Sequence, residues 1–575
     1  MIPGAHSAEA LVAGAAEATR RAAEYLLSLR GPDGAWECPI TAGAPLETDL
    51  ILLELWRHPP QGGAWTPPNP GRIERAIRNV LARHLPDGGI AIYPHGPAEL
   101  NATVKAYFAL KAAGVPGEST AMRAACECVL RLGGLHRTSA WVKIELGLFG
   151  LYDDYPAVPP EMILLPGGFD SMPYWMRMRA IPLAVLTASK QSRRVPDGFN
   201  LRELAAGHES GSEQVIGAGR FAPLMRLAGR YPIQPIRARA LRECGRWMAE
   251  HRPDESYTAM RYALMAMDAA IYPRGHADSR ELEEQIERLV TDDGERLSLR
   301  PCRAEVLDTA LALFALGEAG TEAPECSVEW LMAQDASPES ADVTALELLA
   351  LMHSASSKRQ DAVALLVRTQ AKDGGWPADE SCPDTTGRVL EALCRAGKLP
   401  PDHSAVRRGV DYLLRSQELD GSWSGRWGVS YVYGAFLALR GLAAAGVDER
   451  EACVLRGGEW LRSVQNPDGG WGESCASYDG HGFVAAPSTA SQTAWAVAGL
   501  IAGGDMDSMS VRSGIEWLAG RQRAGGGWDE DVATATEIPR EQYLARHSYG
   551  QAYPLVALAA YNQACRGGAP ARSSR

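Results

Sequence analysis

GEWLRSVQNPDGGW, residues 458–471, runs from the aromatic-Leu tail of a helix through a Pro-Asp-Gly turn to a tryptophan. It returns as VALLVRTQAKDGGW (363–376), VDYLLRSQELDGSW (410–423) and IEWLAGRQRAGGGW (515–528). In each copy a glutamine stands six residues before the tryptophan: Gln370, Gln417, Gln465 and Gln522 before Trp376, Trp423, Trp471 and Trp528. Looser copies occur at YLLSLRGPDGAW (25–36), NVLARHLPDGGI (79–90) and VEWLMAQDASPE (328–339). A period of roughly 50 residues marks a stacked supersecondary unit.

Each unit reads as a helix ending near the glutamine, a D-G-x turn, then a second helix. The second helices, such as DTALALFALGEAG (308–320) and SQTAWAVAGLIAGG (491–504), are apolar almost all round and stop at glycine. A helix of that kind is buried on every side. Inner helices of a closed ring meet this condition and those of an open solenoid do not, so the pattern predicts an all-α protein of α/α barrels. The repeated Gln and Trp are expected to be structural, an amide bonding a neighbouring helix end with an indole packed over it.

Composition narrows the rest. Apolar residues make up 46% of the 575 residues and charged residues 22%, and the formal net charge is −12. Without a basic run there is no electrostatic footprint for nucleic acid. Eleven cysteines without paired spacing suit a reducing compartment. No signal peptide or spanning segment is read, so a cytoplasmic location is expected, leaving open contact with a membrane's inner face.

The ordered segments IYPHGPAELNATVKAYFALKAAGV (92–115), PPEMILLP (159–166), EVLDTALALFALGEAG (305–320), GSWSGRWGVSYVYG (421–434) and PSTASQTAWAVAGLIAGG (487–504) accompany the repeat. Together they resemble the squalene–hopene cyclase family of class II terpene cyclases. The resemblance implies two α-barrel domains, 1–30 with 300–575 and an inserted 31–299, with the cavity between them. It implies an enzyme in which a carboxylic acid protonates a folded polyprene and starts a cation cascade. Such chemistry needs a protonated yet strong acid, a dry cavity and aromatic faces for positive charge.

In the family the acid motif is D-x-D-D-T-A, with the middle Asp as donor. Here it is Ser340-Ala341-Asp342-Val343-Thr344-Ala345, which keeps that Asp and loses its neighbours. Oxidosqualene cyclases resemble this in keeping one Asp, and they protonate the more basic epoxide. Asp342 also suits an N-cap of its helix. A second register would place the acid at Asp384, which matches an Asp on the helix whose His helps to activate the donor. That His position is Arg388, and a guanidinium beside Asp342 favours carboxylate over acid.

The resemblance carries Asp308, Trp427, Tyr433, Trp175 and Tyr549 over as cavity residues, although each aromatic could instead be core. Arg546 stands where a second C-terminal tyrosine is usual. Two loops that wall the family's cavity, after Gln334 and after Trp376, are shortened. Lys105 and Lys143 replace a Glu and an Arg of hopene cyclases. They fit either ion pairs with Glu47, Asp49 or Glu145, or a clamp on an anionic head group. No cofactor is implied, with Mg2+ entering only for a diphosphate substrate. Residues 220–241 align with the family's membrane-contacting segment and carry apolar residues interspersed with Arg.

The expected partner is a hydrophobic isoprenoid, and a homodimer is compatible with the sequence. Two enzymatic alternatives to acid-initiated cyclisation stay open: rearrangement or capture of a terpenoid through Arg388 and Arg546, and protein prenylation on a related barrel. The latter needs an Asp–Cys–His zinc set that the chain does not display. A non-catalytic isoprenoid-binding protein is the remaining alternative.

Overall fold

The computed structural model describes residues 8–153, 155–156, 158–189, 192–205, 232–251, 256–271, 276–334, 340–353, 358–377 and 380–567. The chain divides into two compact units, Met1–Ile40 with Ala304–Arg575, and Thr41–Arg303.

In the first unit the inner helices are Glu305–Glu318, Ala341–Ala350, Pro383–Glu391, Tyr431–Ala444, Ala490–Ala502 and His547–Gly567. Each packs on the next and the last packs on the first, which closes an α/α barrel. Their all-round apolar character has this cause: every residue from Ala490 to Leu500 is buried. The outer helices are amphipathic, as a surface layer requires. Ser404–Ser416, for example, buries Ala405, Val406, Gly409 and Leu413 along one stripe. The N-terminal helix Ala8–Ser28 belongs to this outer layer, packing against Met509–Arg521 and His547–Gly567.

The repeated residues are the ties between hairpins. Each tryptophan's indole N–H donates to a leucine carbonyl ten residues earlier: Trp376 to Leu366, Trp423 to Leu413, Trp471 to Leu461 and Trp528 to Leu518, at 2.7–2.8 Å. Each glutamine amide donates twice. One bond goes to its own turn and the other to the next outer helix, at its start for Gln370, Gln417 and Gln465, as Gln465 does to Gly469 O (2.8 Å) and Ser510 O (3.0 Å). Gln522 makes its second bond to Ala18 O, so the last repeat is tied to the N-terminal helix.

In the second unit Glu47–Arg57 packs against Leu100–Ala112 and Tyr257–Ala266, and Tyr174–Ser189 packs against Tyr257–Ala266 and Ala140–Leu148. One continuous apolar core, with Leu50, Trp56, Phe108, Leu183 and Met260 in it, fills this barrel. Of the proposed membrane segment, 220–231 lies outside the described residues, as does 335–339 before the acid motif. Ile233 and Ile236, at the start of Gln234–Glu250, are 62% and 44% exposed. Among the described residues no helix is long and apolar enough to cross a membrane.

Candidate active site

Four inner helices of the first unit bring the acid and its neighbours together. Ala341–Ala350 starts at Ser340, whose hydroxyl accepts the Val343 N–H at 3.3 Å, so Ser340 is the N-cap. Asp342 is therefore not the cap that its position in the sequence suggested. Its carboxylate faces Pro383–Glu391, where Arg388 Nε donates to Asp342 Oδ1 at 2.7 Å. The pair is deeply buried, with side-chain exposures of 2% for Arg388 and 9% for Asp342.

Two glycines make this approach possible. Pro383–Glu391 and Tyr431–Ala444 cross in backbone contact, and a Cβ at Gly387 would lie 2.2 Å from Leu437 O. At Gly441 it would lie 2.5 Å from Gly387 O. That close crossing sets Tyr433 beside Arg388, whose Nη2 donates to the Tyr433 hydroxyl. The same Nη2 donates to Tyr553 OH at 3.1 Å, from the last inner helix. The guanidinium thus bridges one carboxylate and two phenols from three helices.

Rings surround the bridge. Tyr433 lies 4.7 Å from Trp495 between centroids, in a T-shaped contact, and 6.5 Å from Tyr549 in a stacked one. Tyr553 meets Tyr549, Trp495 and Phe436 edge to face at 5.3, 5.6 and 5.8 Å. Arg546 lies 5.9 Å over the Tyr549 ring.

The three carboxyls differ in setting. Burial pushes the Asp342 carboxyl above its ordinary range; Asp384 adds to the rise, while Arg388 and Arg546 pull against it. Asp384 is wholly buried and used as an acceptor, taking N–H bonds from Arg426 (2.7 Å), Trp427 (2.9 Å) and Thr385 (3.0 Å). Its oxygens hold the loop before Tyr431–Ala444, which makes it a support of the site. Asp308 accepts the Cys38 N–H at 2.9 Å through Oδ2. Burial raises its carboxyl to about 6, against the pull of Arg546 and Ser548. Asp308 Oδ1 and Ser548 Oγ are both buried without a hydrogen-bond partner among the described residues.

Of the residues singled out from sequence, Asp342, Arg388, Tyr433, Tyr549, Arg546, Asp384 and Asp308 are thus linked in one unit. Trp427 joins them through its N–H on Asp384, and its ring carries Arg426 at 4.6 Å. Trp175, Lys105 and Lys143 belong to the other unit. Arg179 lies 5.7 Å over Trp175, and Lys143 Nζ 5.9 Å over Tyr152. Lys105 Nζ is committed to carboxylates, at 2.5 Å from Asp49 and 3.6 Å from Glu145, with Arg261 completing a neutral set of four. This is the ion-pair alternative for Lys105, not a free clamp. Sequence reading missed Tyr553 and Trp495; the four-residue step from Tyr549 to Tyr553 on one helix is the signal that could have found the former. Among the described residues no group of three or more His, Cys, Asp or Glu is placed to hold a metal ion.

An α/α barrel with a buried acid among aromatic rings is the architecture of a class II terpene cyclase, and comparison with known proteins supplies the family. Residues 19–295 match the squalene–hopene cyclase N-terminal domain and 377–563 the squalene–hopene cyclase C-terminal domain. The squalene–hopene cyclase of Zymomonas mobilis is 32% identical, covering 94% of both chains. That of Alicyclobacillus acidocaldarius is 30% identical, covering 95% of this chain and 97% of its own. The ent-copalyl diphosphate synthase of Streptomyces platensis shares the fold, with a TM-score of 0.56 at 18% identity over 96% of this chain and 99% of that one. The chain belongs to the squalene–hopene cyclase family and is a terpene cyclase.

Proposed function

We propose that the enzyme cyclises a linear polyprenyl or isoprenoid-tailed substrate by protonating it from Asp342. The observation that carries this reading is the Arg388–Asp342 hydrogen bond inside the ring cluster. Burial favours the protonated form of the carboxyl, and Oδ2 is the oxygen that the guanidinium does not hold. As that proton leaves, Arg388 stabilises the carboxylate left behind, which makes the acid stronger than its burial alone allows. A fixed cation here takes over the activating role of the family's histidine. The faces of Tyr433, Trp495, Tyr549 and Tyr553 supply negative potential for a developing carbocation. Asp384 and Arg546 shape the field around the donor.

In this reading the enzyme needs no cofactor, with Mg2+ entering only for a diphosphate substrate. The neutralised Lys105 weighs against that head group. It is a cytoplasmic protein that meets the membrane through 220–241, a role supported by the exposed Ile233 and Ile236. The test is incubation of the wild type with squalene, oxidosqualene and fifteen- and twenty-carbon prenyl diphosphates. A cyclic product from one of them is expected; recovery of every substrate unchanged counts against the reading.

A further inference from the structure

The Tyr553 hydroxyl, as distinct from the ring face, has no part in the chemistry described so far, yet it lies on the guanidinium that faces the acid. Arg388 is long and would be free to swing. It is fixed at three points: Asp342 Oδ1 at 2.7 Å, Tyr433 OH, and Tyr553 OH at 3.1 Å. The two phenol oxygens are 3.5 Å apart, close enough to share the same Nη2. Tyr553 is itself held on three sides by Tyr549, Trp495 and Phe436, so its hydroxyl is a rigid stop. It reaches the guanidinium from the helix His547–Gly567, whereas Arg388 and Tyr433 come from the two helices that cross at Gly387 and Gly441. Without Tyr553 the Nη2 group keeps one partner and the guanidinium can turn about it, away from Asp342.

We propose that Tyr553 is a positioning residue that holds Arg388 against Asp342 and thereby sets the strength of the acid. The inference rests on Asp342 being the proton donor. Its consequence is a pH signature. Cyclisation uses the acid form of Asp342, so kcat falls as pH rises past the apparent pKa of that carboxyl. The groups acting on Asp342 are Arg388, Asp384, Arg546, Tyr433 and Tyr549. Among these Arg388 pulls its pKa down most. A loosened Arg388 lets the pKa climb, which moves the alkaline limb to higher pH while a weaker acid lowers the plateau.

The experiment compares pH–rate profiles of full-length wild type, Tyr553→Phe and Tyr433→Phe on whichever substrate the wild type cyclises, with melting curves for each. The expected result is an alkaline limb displaced upward by at least about half a pH unit, kcat lowered about tenfold and KM within about twofold. In an Arg388→Met background Tyr553→Phe should displace nothing further. Tyr433→Phe removes the other acceptor of the same Nη2 and carries the test where Tyr553→Phe does not fold. A folded Tyr553→Phe whose limb stays at the wild-type position overturns the proposal, as does a displacement that persists undiminished without Arg388. Full activity in Asp342→Asn would instead overturn the donor assignment on which it rests.

Discussion

Arg388 Nε lies 2.7 Å from Asp342 Oδ1, and neither residue has another charged hydrogen-bond partner among the described residues. Each is therefore the other's charged partner inside the barrel. Removing one leaves an uncompensated group in the barrel, which costs about 3–5 kcal/mol for a buried pair. Arg388→Met should lower the melting temperature and cut cyclisation at least about tenfold, because the acid left behind is weaker. The paired change Asp342→Asn with Arg388→Gln should recover part of the stability and none of the activity. Thermal melting and product yield across the wild type and these two variants check this.

Lys105 yields a different expectation. Burial raises the Asp49 carboxyl, but Arg261 and Lys105 overcome it and hold Asp49 below its ordinary range. Lys105→Met should destabilise the second unit by on the order of 3 kcal/mol. It should leave KM within about twofold for any substrate the wild type accepts. A diphosphate substrate whose KM rises tenfold or more in a folded Lys105→Met would restore the clamp.

Asp308 should be visible in the pH dependence of stability. Its carboxyl titrates at about 6 when folded, against an ordinary value of 3.8. The folded state then binds the extra proton between those values, so the contribution is full below about pH 4 and is lost as pH rises through 6. At 1.36 kcal/mol per pH unit the span is worth roughly 3 kcal/mol. Glu391 has the opposite sign: Arg440 and Arg395 hold it at about 2 against burial, so its contribution is present at neutral pH and lost in acid. The difference in melting temperature between wild type and Asp308→Asn, followed from pH 4 to 7, isolates the first effect. It should shift steadily in favour of the variant as pH rises.

The repeat predicts where the first barrel is weakest. Gln465→Ala removes two bonds that join one hairpin to the next and should cost about 1–3 kcal/mol. Trp471→Ala also empties a fully buried site and should cost about 3–5 kcal/mol. Melting curves should rank them in that order.

The barrel was legible because its signal is local and repeated. Six residues from Gln to Trp fix a turn, and glycine-ended apolar runs fix inner helices, wherever the rest of the chain goes. The resemblance likewise located Asp342, Arg388 and Tyr433. The roles were not legible, because they depend on pairings across the fold. Whether Asp342 caps its helix or meets Arg388 is decided by a hydroxyl two residues earlier and a crossing forty-odd residues later. Tyr553 sits in the run AYPLVALAAYN (552–562), where nothing separates it from core. For Lys105 the sequence offered both an ion pair with Glu47, Asp49 or Glu145 and a clamp, and the choice waited on a fold that also brings in Arg261.

The central claim is that a single buried carboxyl, poised by a fixed cation, starts the cyclisation. Its most direct measurement is the yield of cyclic product from Asp342→Asn beside the wild type, on the polyprene that the wild type converts, with both proteins shown to be folded. The account predicts that cyclic product falls by at least about a hundredfold, the upper range of general-acid contributions being about ten-thousandfold. Undiminished cyclic product from folded Asp342→Asn would contradict it.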